Sequence, residues 1–203
     1  MHVKAAGGTG ATVNGMTYTG MVTFSHSDVT ISRSIFRDAG DDDGFNAKYS
    51  KVVIRDSLVM DNAHDGIDLD WPKEGSEIKN NHLTHNGIGG GEGGDAIDLS
   101  RSDVLIEGNT IDGCTDKGIS VGEKSNPTIR NNLIAHCLIG IAVKDRSEAI
   151  IVDTQIAHTG TGITAYQKHP IYGGGIAHVA RVRMEDVKEE YKKDVFSKIE
   201  IQP

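Results

Sequence analysis

Three five-residue strings decide how this chain folds: Gly118-Ile-Ser-Val-Gly122, Gly140-Ile-Ala-Val-Lys144 and Gly162-Ile-Thr-Ala-Tyr166, each starting 22 residues after the last. Working back toward the N-terminus, Ala96-Ile-Asp-Leu-Ser100 and Gly66-Ile-Asp-Leu-Asp70 repeat the pattern, then Gly44-Phe-Asn-Ala-Lys48 and Gly20-Met-Val-Thr-Phe24. From the N-terminal end the intervals between these small-residue anchors are 24, 22, 30, 22, 22 and 22. A second apolar run follows each of the first six, with its first isoleucines at Ile31, Ile54, Ile78, Ile106, Ile129 and Ile151. Each segment thus holds two or three short strands. Hairpins seldom keep so constant a length, whereas the turns of a solenoid must, since each stacks on the last at the ~4.8 Å spacing of a sheet.

Side chains alternate along a strand, so equivalent positions become columns. One inward column reads Phe45, Ile67, Ile97, Ile119, Ile141, Ile163, and the next reads Ala47, Leu69, Leu99, Val121, Val143, Ala165. A polar turn column reads Ser34, Ser57, Asn81, Asn109, Asn132, Thr154, which predicts a ladder of side chains bonded to one another and to turn backbone. The fold expected is an all-β, single-stranded parallel β-helix of about 22 residues per coil and seven to eight coils over residues 1–183. Residues 184–203 are expected as a C-terminal capping segment, with Val187, Tyr191 and Val195 at helical spacing for a short helix before a final strand.

Composition agrees. Among 203 residues, 22 Ile and 15 Val against 7 Leu favour strands, because β-branched side chains suit a pleated surface. Glycine stands at 25 and proline at 4, with no collagen period. The net charge of −8 shows no basic footprint for nucleic acid, and no apolar run is long enough for a membrane helix. The N-terminus lacks the apolar core of a signal peptide, so a secreted protein would have to be a processed or excised form. The interval of 30 locates an insertion, mostly in His85 to Gly94, where six of residues 87–94 are glycine.

The strings Tyr18-Thr-Gly-Met21, Gly94-Asp-Ala-Ile-Asp-Leu-Ser100, Asp116-Lys-Gly-Ile-Ser-Val-Gly-Glu-Lys-Ser125, Gly140-Ile-Ala-Val-Lys-Asp145 and Ala165-Tyr-Gln-Lys168 carry a family resemblance. The chain resembles the right-handed parallel β-helix proteins of the pectate-lyase-like superfold. Within them it looks most like the β-helix modules of secreted bacterial proteins that carry spore-coat-H-type kinase or lamin-tail domains. The resemblance implies an extracellular location and further domains in a longer chain. It fixes no activity, because the superfold hosts lyases, hydrolases, epimerases and structural spikes.

Function is sought on the outward columns. Coils two to four present Asn46, Asp65, Asp68, Asp70, Asp95 and Asp98, together with Asp43, on one face. Carboxylates stacked ~5 Å apart repel by about 3 kcal/mol per pair at an effective dielectric near 20, so a cation, a lysine or a proton must compensate. Two readings stand. In one, oxygen ligands hold Ca2+, an idea also suggested by the fit of Gly90 to Asp98 to the nonapeptide of calcium-binding β-rolls. In the other, Asp and Asn cap turns where they enter strands, with Lys48 and Lys117 neutralising part of the charge. Lys48, Trp71, Lys117, Lys144 and Tyr166 flank this face as candidate glycan contacts. Trp71, the single tryptophan, serves equally as a sugar platform or as packing for its own loop.

Resemblance to calcium-dependent polysaccharide lyases of this fold implies a sharper scheme. There an amide on one coil and an acid-x-acid pair on the next hold calcium, while a lysine and an arginine do the chemistry. Here those would be Asn46, Asp68-x-Asp70, Lys73 as general base and Arg101 as charge stabiliser. Three functions follow as expectations: a module that engages polysaccharide or surface glycan, a calcium-dependent uronan lyase, and a structural spacer. His85, His136 and His158 share a column and are expected as surface residues. Cys114 and Cys137 share another, in adjacent coils, and are expected as stacked free thiols rather than a bridge, because side chains on parallel strands point the same way.

Overall fold

Three short strands and three corners make each coil, and the same three runs recur along the chain. The computed structural model describes residues 2–89 and 94–202, among which no helix occurs. The first run contains Val22–Ser25, Phe45–Lys48, Ile67–Asp70 and Ile97–Ser100. It continues in the C-terminal halves of Thr110–Gly122 and Leu133–Lys144, then in Thr161–Tyr166 and Glu189–Lys193. The second run is an eight-stranded parallel sheet that starts at Val29–Ser32 and ends at Lys198–Gln202. The third starts at Lys4–Ala6 and ends at Arg183–Glu185. Every strand pair among the described residues is parallel except one hairpin, Ala11–Val13 with Met16–Tyr18, in the first turn.

Strand registers reproduce the columns. Phe45 lies beside Ile67, then Ile97, Ile119, Ile141 and Ile163 follow in line. These side chains, with Ala47, Leu69, Leu99, Val121 and Val143 two residues on, are fully enclosed. The polar ladder forms as expected: the backbone N–H of Ser57 donates to Asn81 Oδ1, that of Asn81 to Asn109 Oδ1 and that of Asn109 to Asn132 Oδ1, at 2.9–3.0 Å. A second ladder, of serines, closes another corner, with Ser102 N–H on Ser125 Oγ and Ser125 N–H on Ser147 Oγ.

Three expectations are corrected. In the first coil Val22 stands beside Phe45, so Met21 rather than Gly20 is the equivalent of Gly44. The stretch 184–195 forms strand instead of helix, since Glu189–Lys193 extends the first run and Tyr191 pairs beside Ile163. Tyr191 packs on the core from its strand and Val187 from the corner between two strands, while Val195 is 89% exposed in a turn. Cys114 and Cys137 form a disulfide, with Cα atoms 4.8 Å apart. They sit in register, but regular pairing breaks between Cys114 and Lys117. A bulge of this kind re-aims side chains, so the two Cβ atoms need not stay parallel. The core of the insertion, residues 90–93, and with it much of the β-roll-like nonapeptide, lies outside the described residues.

Candidate functional site

On the strands of the first run the inward residues fill the core and the outward ones build a polar face. Asp43, Asp65 and Asp95 lie just before three successive strands. Asp43 Oδ1 accepts the N–H of Asp65 at 3.1 Å, Asp65 Oδ1 that of Asp95 at 2.6 Å, and Asp95 Oδ1 that of Lys117 at 3.0 Å. These three carboxyls therefore cap the turns that enter the strands. Lys117 also reaches Asp95 at 3.3 Å and bonds Asp116. Burial, reinforced by neighbouring carboxylates, pushes Asp43 up to about 7 and holds Asp65 well above the usual carboxylate range. Burial also raises Asp95, to about 6, although the Lys117 charge opposes it.

The next column is different. Asn46, Asp68, Asp98 and Ser120 stand side by side on four adjacent coils. Asn46 Nδ2 donates to Asp68 Oδ2 at 2.5 Å. Asn46 Oδ1, Asp98 Oδ1 and Ser120 Oγ are buried yet have no hydrogen-bond partner among the described residues. Burial, and then the charge of Asp70, raises Asp68 well above the usual carboxylate range.

Lysines reach over this floor from both ends. Lys48 pairs with Asp70 at 2.9 Å, and Lys144, nearly enclosed, extends to within 3.9 Å of Asp98 Oδ1. Its stem crosses Gly122, where a Cβ would lie 2.9 Å from Lys144 Cε. Burial alone would lower the Lys144 ammonium, but Asp98 and Asp95 hold it above its ordinary range. Tyr166 closes the column beside Lys144. Beyond it the face runs into a groove lined by Thr164, Tyr166, Lys188, Lys192, Lys193 and Asp194. The face is therefore acidic on its N-terminal coils and basic on its C-terminal ones.

Along one edge runs the corner that follows each strand. His26 stacks on Tyr49 at 4.8 Å between ring centroids, Tyr49 on Trp71 at 5.1 Å, and the Arg101 guanidinium lies 5.4 Å from the Trp71 ring centre. Each of these four residues has a left-handed φ near +50°. The Trp71 ring is thus engaged by Tyr49 and by Arg101. Of the residues in the lyase scheme, the structure brings Asn46 and Asp68 together, with Asp70 on Lys48. It holds Arg101 on Trp71, and Lys73 2.7 Å from Asp28 at the exposed surface. The acidic face does not draw three carboxylates within 4.8 Å of one another. Among the described residues the one set of His, Cys, Asp or Glu that converges so closely is Glu123, Asp145 and His169. Sequence reasoning missed that set. Glu123 and Asp145 share a column, but His169 sits in a loop outside the repeat. His136 and His158 stack at 5.0 Å, each held by a surface carboxylate, Asp112 and Asp186 respectively.

The chain matches the family described as right handed beta helix region over residues 7–98 and 91–173. It is similar in structure to an alginate lyase from Paenibacillus sp. str. FPU-7, at 12% identity and a TM-score of 0.62, covering 88% of this chain and 76% of that one. It is also similar to XylC, solved in complex with xylose, at 15% identity and a TM-score of 0.58, covering 90% of this chain and 36% of that one. A third likeness is to the catalytic domain of a GH87 alpha-1,3-glucanase in complex with tetrasaccharides, at 11% identity and a TM-score of 0.54, covering 90% and 46%. No curated protein matches the sequence. The family match, the parallel registers and the eight-stranded second sheet together make this chain a member of the right-handed β-helix family.

Proposed function

We propose that this chain is an extracellular β-helix module that engages a polysaccharide along its first-run face. The observation that carries the reading is that three buried oxygens of this column, Asn46 Oδ1, Asp98 Oδ1 and Ser120 Oγ, have no hydrogen-bond partner among the described residues. An unsatisfied buried polar group costs about 1–3 kcal/mol, so these three, two on adjacent coils and the third two coils away, are a standing demand for hydrogen-bonding groups along the axis. An elongated polyhydroxylated ligand laid along the solenoid axis meets that demand. The lysines at the C-terminal end suit an acidic sugar there. Support also comes from the carbohydrates and carbohydrate-acting names of the similar structures. The Cys114–Cys137 bridge supports the extracellular location, because disulfides persist in oxidising compartments. The closer likeness to secreted spore-coat-H-kinase and lamin-tail modules, with further domains around this one, belongs to the same proposal.

Affinity electrophoresis of the intact chain through gels cast with neutral and uronate polysaccharides tests it. At least one polymer is expected to retard the wild type, and Asp98→Ala together with Tyr166→Ala should abolish the retardation. No retardation by any polymer, or equal retardation of the double variant, would overturn it.

A calcium-dependent uronan lyase is the second reading, favoured by the Asn46–Asp68 contact with unpartnered oxygens on either side. These donors are all oxygen and so fit Ca2+, with Asn46, Asp68 and Asp98 as the residues that would hold it. The scheme requires Lys73 to leave Asp28. Ultraviolet absorbance from unsaturated uronate products, dependent on calcium and lost in Lys73→Ala, is its signature.

A further inference from the structure

A different site lies where the corner column reaches its C-terminal end. Glu123 and Asp145 each follow a first-run strand and sit on adjacent coils, and His169 lies in the loop after the next strand. His169 Nε2 stands 3.9 Å from Asp145 Oδ2 and 4.0 Å from Glu123 Oε1. The three ligand atoms all lie within 4.8 Å of one another.

Asp145 is the decisive residue, since its side chain is 0% exposed. Its Oδ1 accepts the N–H groups of Lys168 and His169 at 2.8 and 2.7 Å, which pins the loop so that the imidazole returns over the carboxylate. Its Oδ2 is buried, faces His169 and has no hydrogen-bond partner among the described residues. Loop capping explains Oδ1 and leaves Oδ2 unexplained. Glu123 is steadied by Ser100 Oγ, which donates to its Oε2 at 2.6 Å and leaves Oε1 toward the cluster.

We infer that Glu123, Asp145 and His169 form a binding site for a divalent metal ion of borderline softness, such as Zn2+. Two carboxylates cancel the ion's charge, and the imidazole selects against Ca2+, whose ligands are oxygens. Tetrahedral zinc has ligand atoms roughly 3–3.5 Å apart, given bonds of ~2.0–2.2 Å, so the triangle must contract by about half an ångström or more. The His169 and Glu123 side chains keep solvent exposure of 49% and 24%, which leaves them free to do so. Water would complete the coordination on the open side.

Calorimetric titration of the intact chain with zinc tests the site. A single tight step with one equivalent is expected. Asp145→Asn keeps an oxygen for the two loop N–H groups and replaces Oδ2 by an amide nitrogen. It should weaken the step at least tenfold while leaving the melting temperature of the metal-free protein within two degrees. His169→Ala should weaken it as much. His136→Ala should leave it unchanged, which separates the site from the stacked surface histidines. Titration with calcium should show no step that His169→Ala removes. Absence of the tight step in the wild type, or its survival within twofold in Asp145→Asn or His169→Ala, would overturn the assignment.

Discussion

Two stacks of polar side chains rise through this solenoid with the same spacing and opposite economies. In the corner stack, Asn81, Asn109 and Asn132 use both ends of each amide. Asn109 Oδ1 takes the N–H and Nδ2 of Asn81, and its own Nδ2 donates to Ile78 O and Asn132 Oδ1. In the outward stack, Asn46, Asp68, Asp98 and Ser120 stand in register on strands whose backbone groups already pair with each other, which leaves three oxygens unserved. A corner exposes backbone donors and acceptors that side chains can satisfy, and a strand face does not. The same repeat thus yields a structural element at one position and a ligand floor at another.

The largest expected effect sets the scale. Ile119→Ala, in the enclosed inward column with coils on both sides, should cost about 2–5 kcal/mol in urea unfolding. A loss under 1 kcal/mol would break the column assignment. Asn109→Ala comes next: it strands the Asn81 N–H and the Ile78 carbonyl in the interior and should cost about 2–4 kcal/mol. Should it cost no more than a surface substitution, the corner stack is not structural and the contrast fails.

The pH dependence sharpens the outward side. Asp43 and Asp95, at about 7 and about 6, are raised above their unfolded value of about 3.9. Between those values the native state binds more protons than the unfolded chain, so the stability these two contribute is complete below about pH 4 and is lost as pH climbs toward 7. The carboxyls with lowered pKa, Asp28, Glu107, Asp153 and Asp194, act in the opposite sense as pH falls below their ordinary values of about 4 to 4.5. The urea midpoint is therefore expected to be lower at pH 8 than at pH 5, and a rise would contradict the burial of these carboxyls. Asp68→Asn should narrow the difference by stabilising the protein at pH 8. Millimolar calcium should raise the wild-type melting temperature under the lyase reading, and Asp68→Asn should shrink that response. No calcium response confines the face to metal-free binding. The smallest effect is expected for Ser120→Ala, a gain of about 1 kcal/mol rather than a loss, because it deletes a buried hydroxyl that bonds nothing.

Columns were legible in the sequence because β-branched residues, small anchors and Asn/Ser turns repeat with the coil, and the register leaves no other arrangement. The acidic face was legible for the same reason, down to Asn46 beside Asp68 and Asp68 beside Asp98. Which carboxylates would cap turns was not, since Asp65 and Asp68 differ only in standing before or within a strand. Nor was the reach of Lys144, which crosses Gly122 to approach Asp98 two coils back, a path no periodicity encodes. The disulfide depended on a bulge and His169 on a loop, and both are departures from the repeat. Helical spacing misled at Val187, Tyr191 and Val195, where the pull of the next strand outweighed local pattern.

Consider finally the corner that bears His26, Tyr49, Trp71, Arg101, Glu123 and Asp145, all in the left-handed conformation. For L-residues this conformation costs roughly 1–2 kcal/mol, least for Asn, Asp and His and most for β-branched side chains, none of which occupies it among the described residues. The side chains at this corner lie outside the inward columns, and apart from Asp145, whose carboxylate holds a loop, the corner carries an aromatic ring, a guanidinium or a carboxylate on the same backbone conformation. The corner is a row of sockets at fixed pitch. Duplicating a coil would add a socket, and drift within it would bring new chemistry beside an unchanged scaffold. Across relatives, this column is expected to vary most in chemical character while the neighbouring isoleucines stay the same.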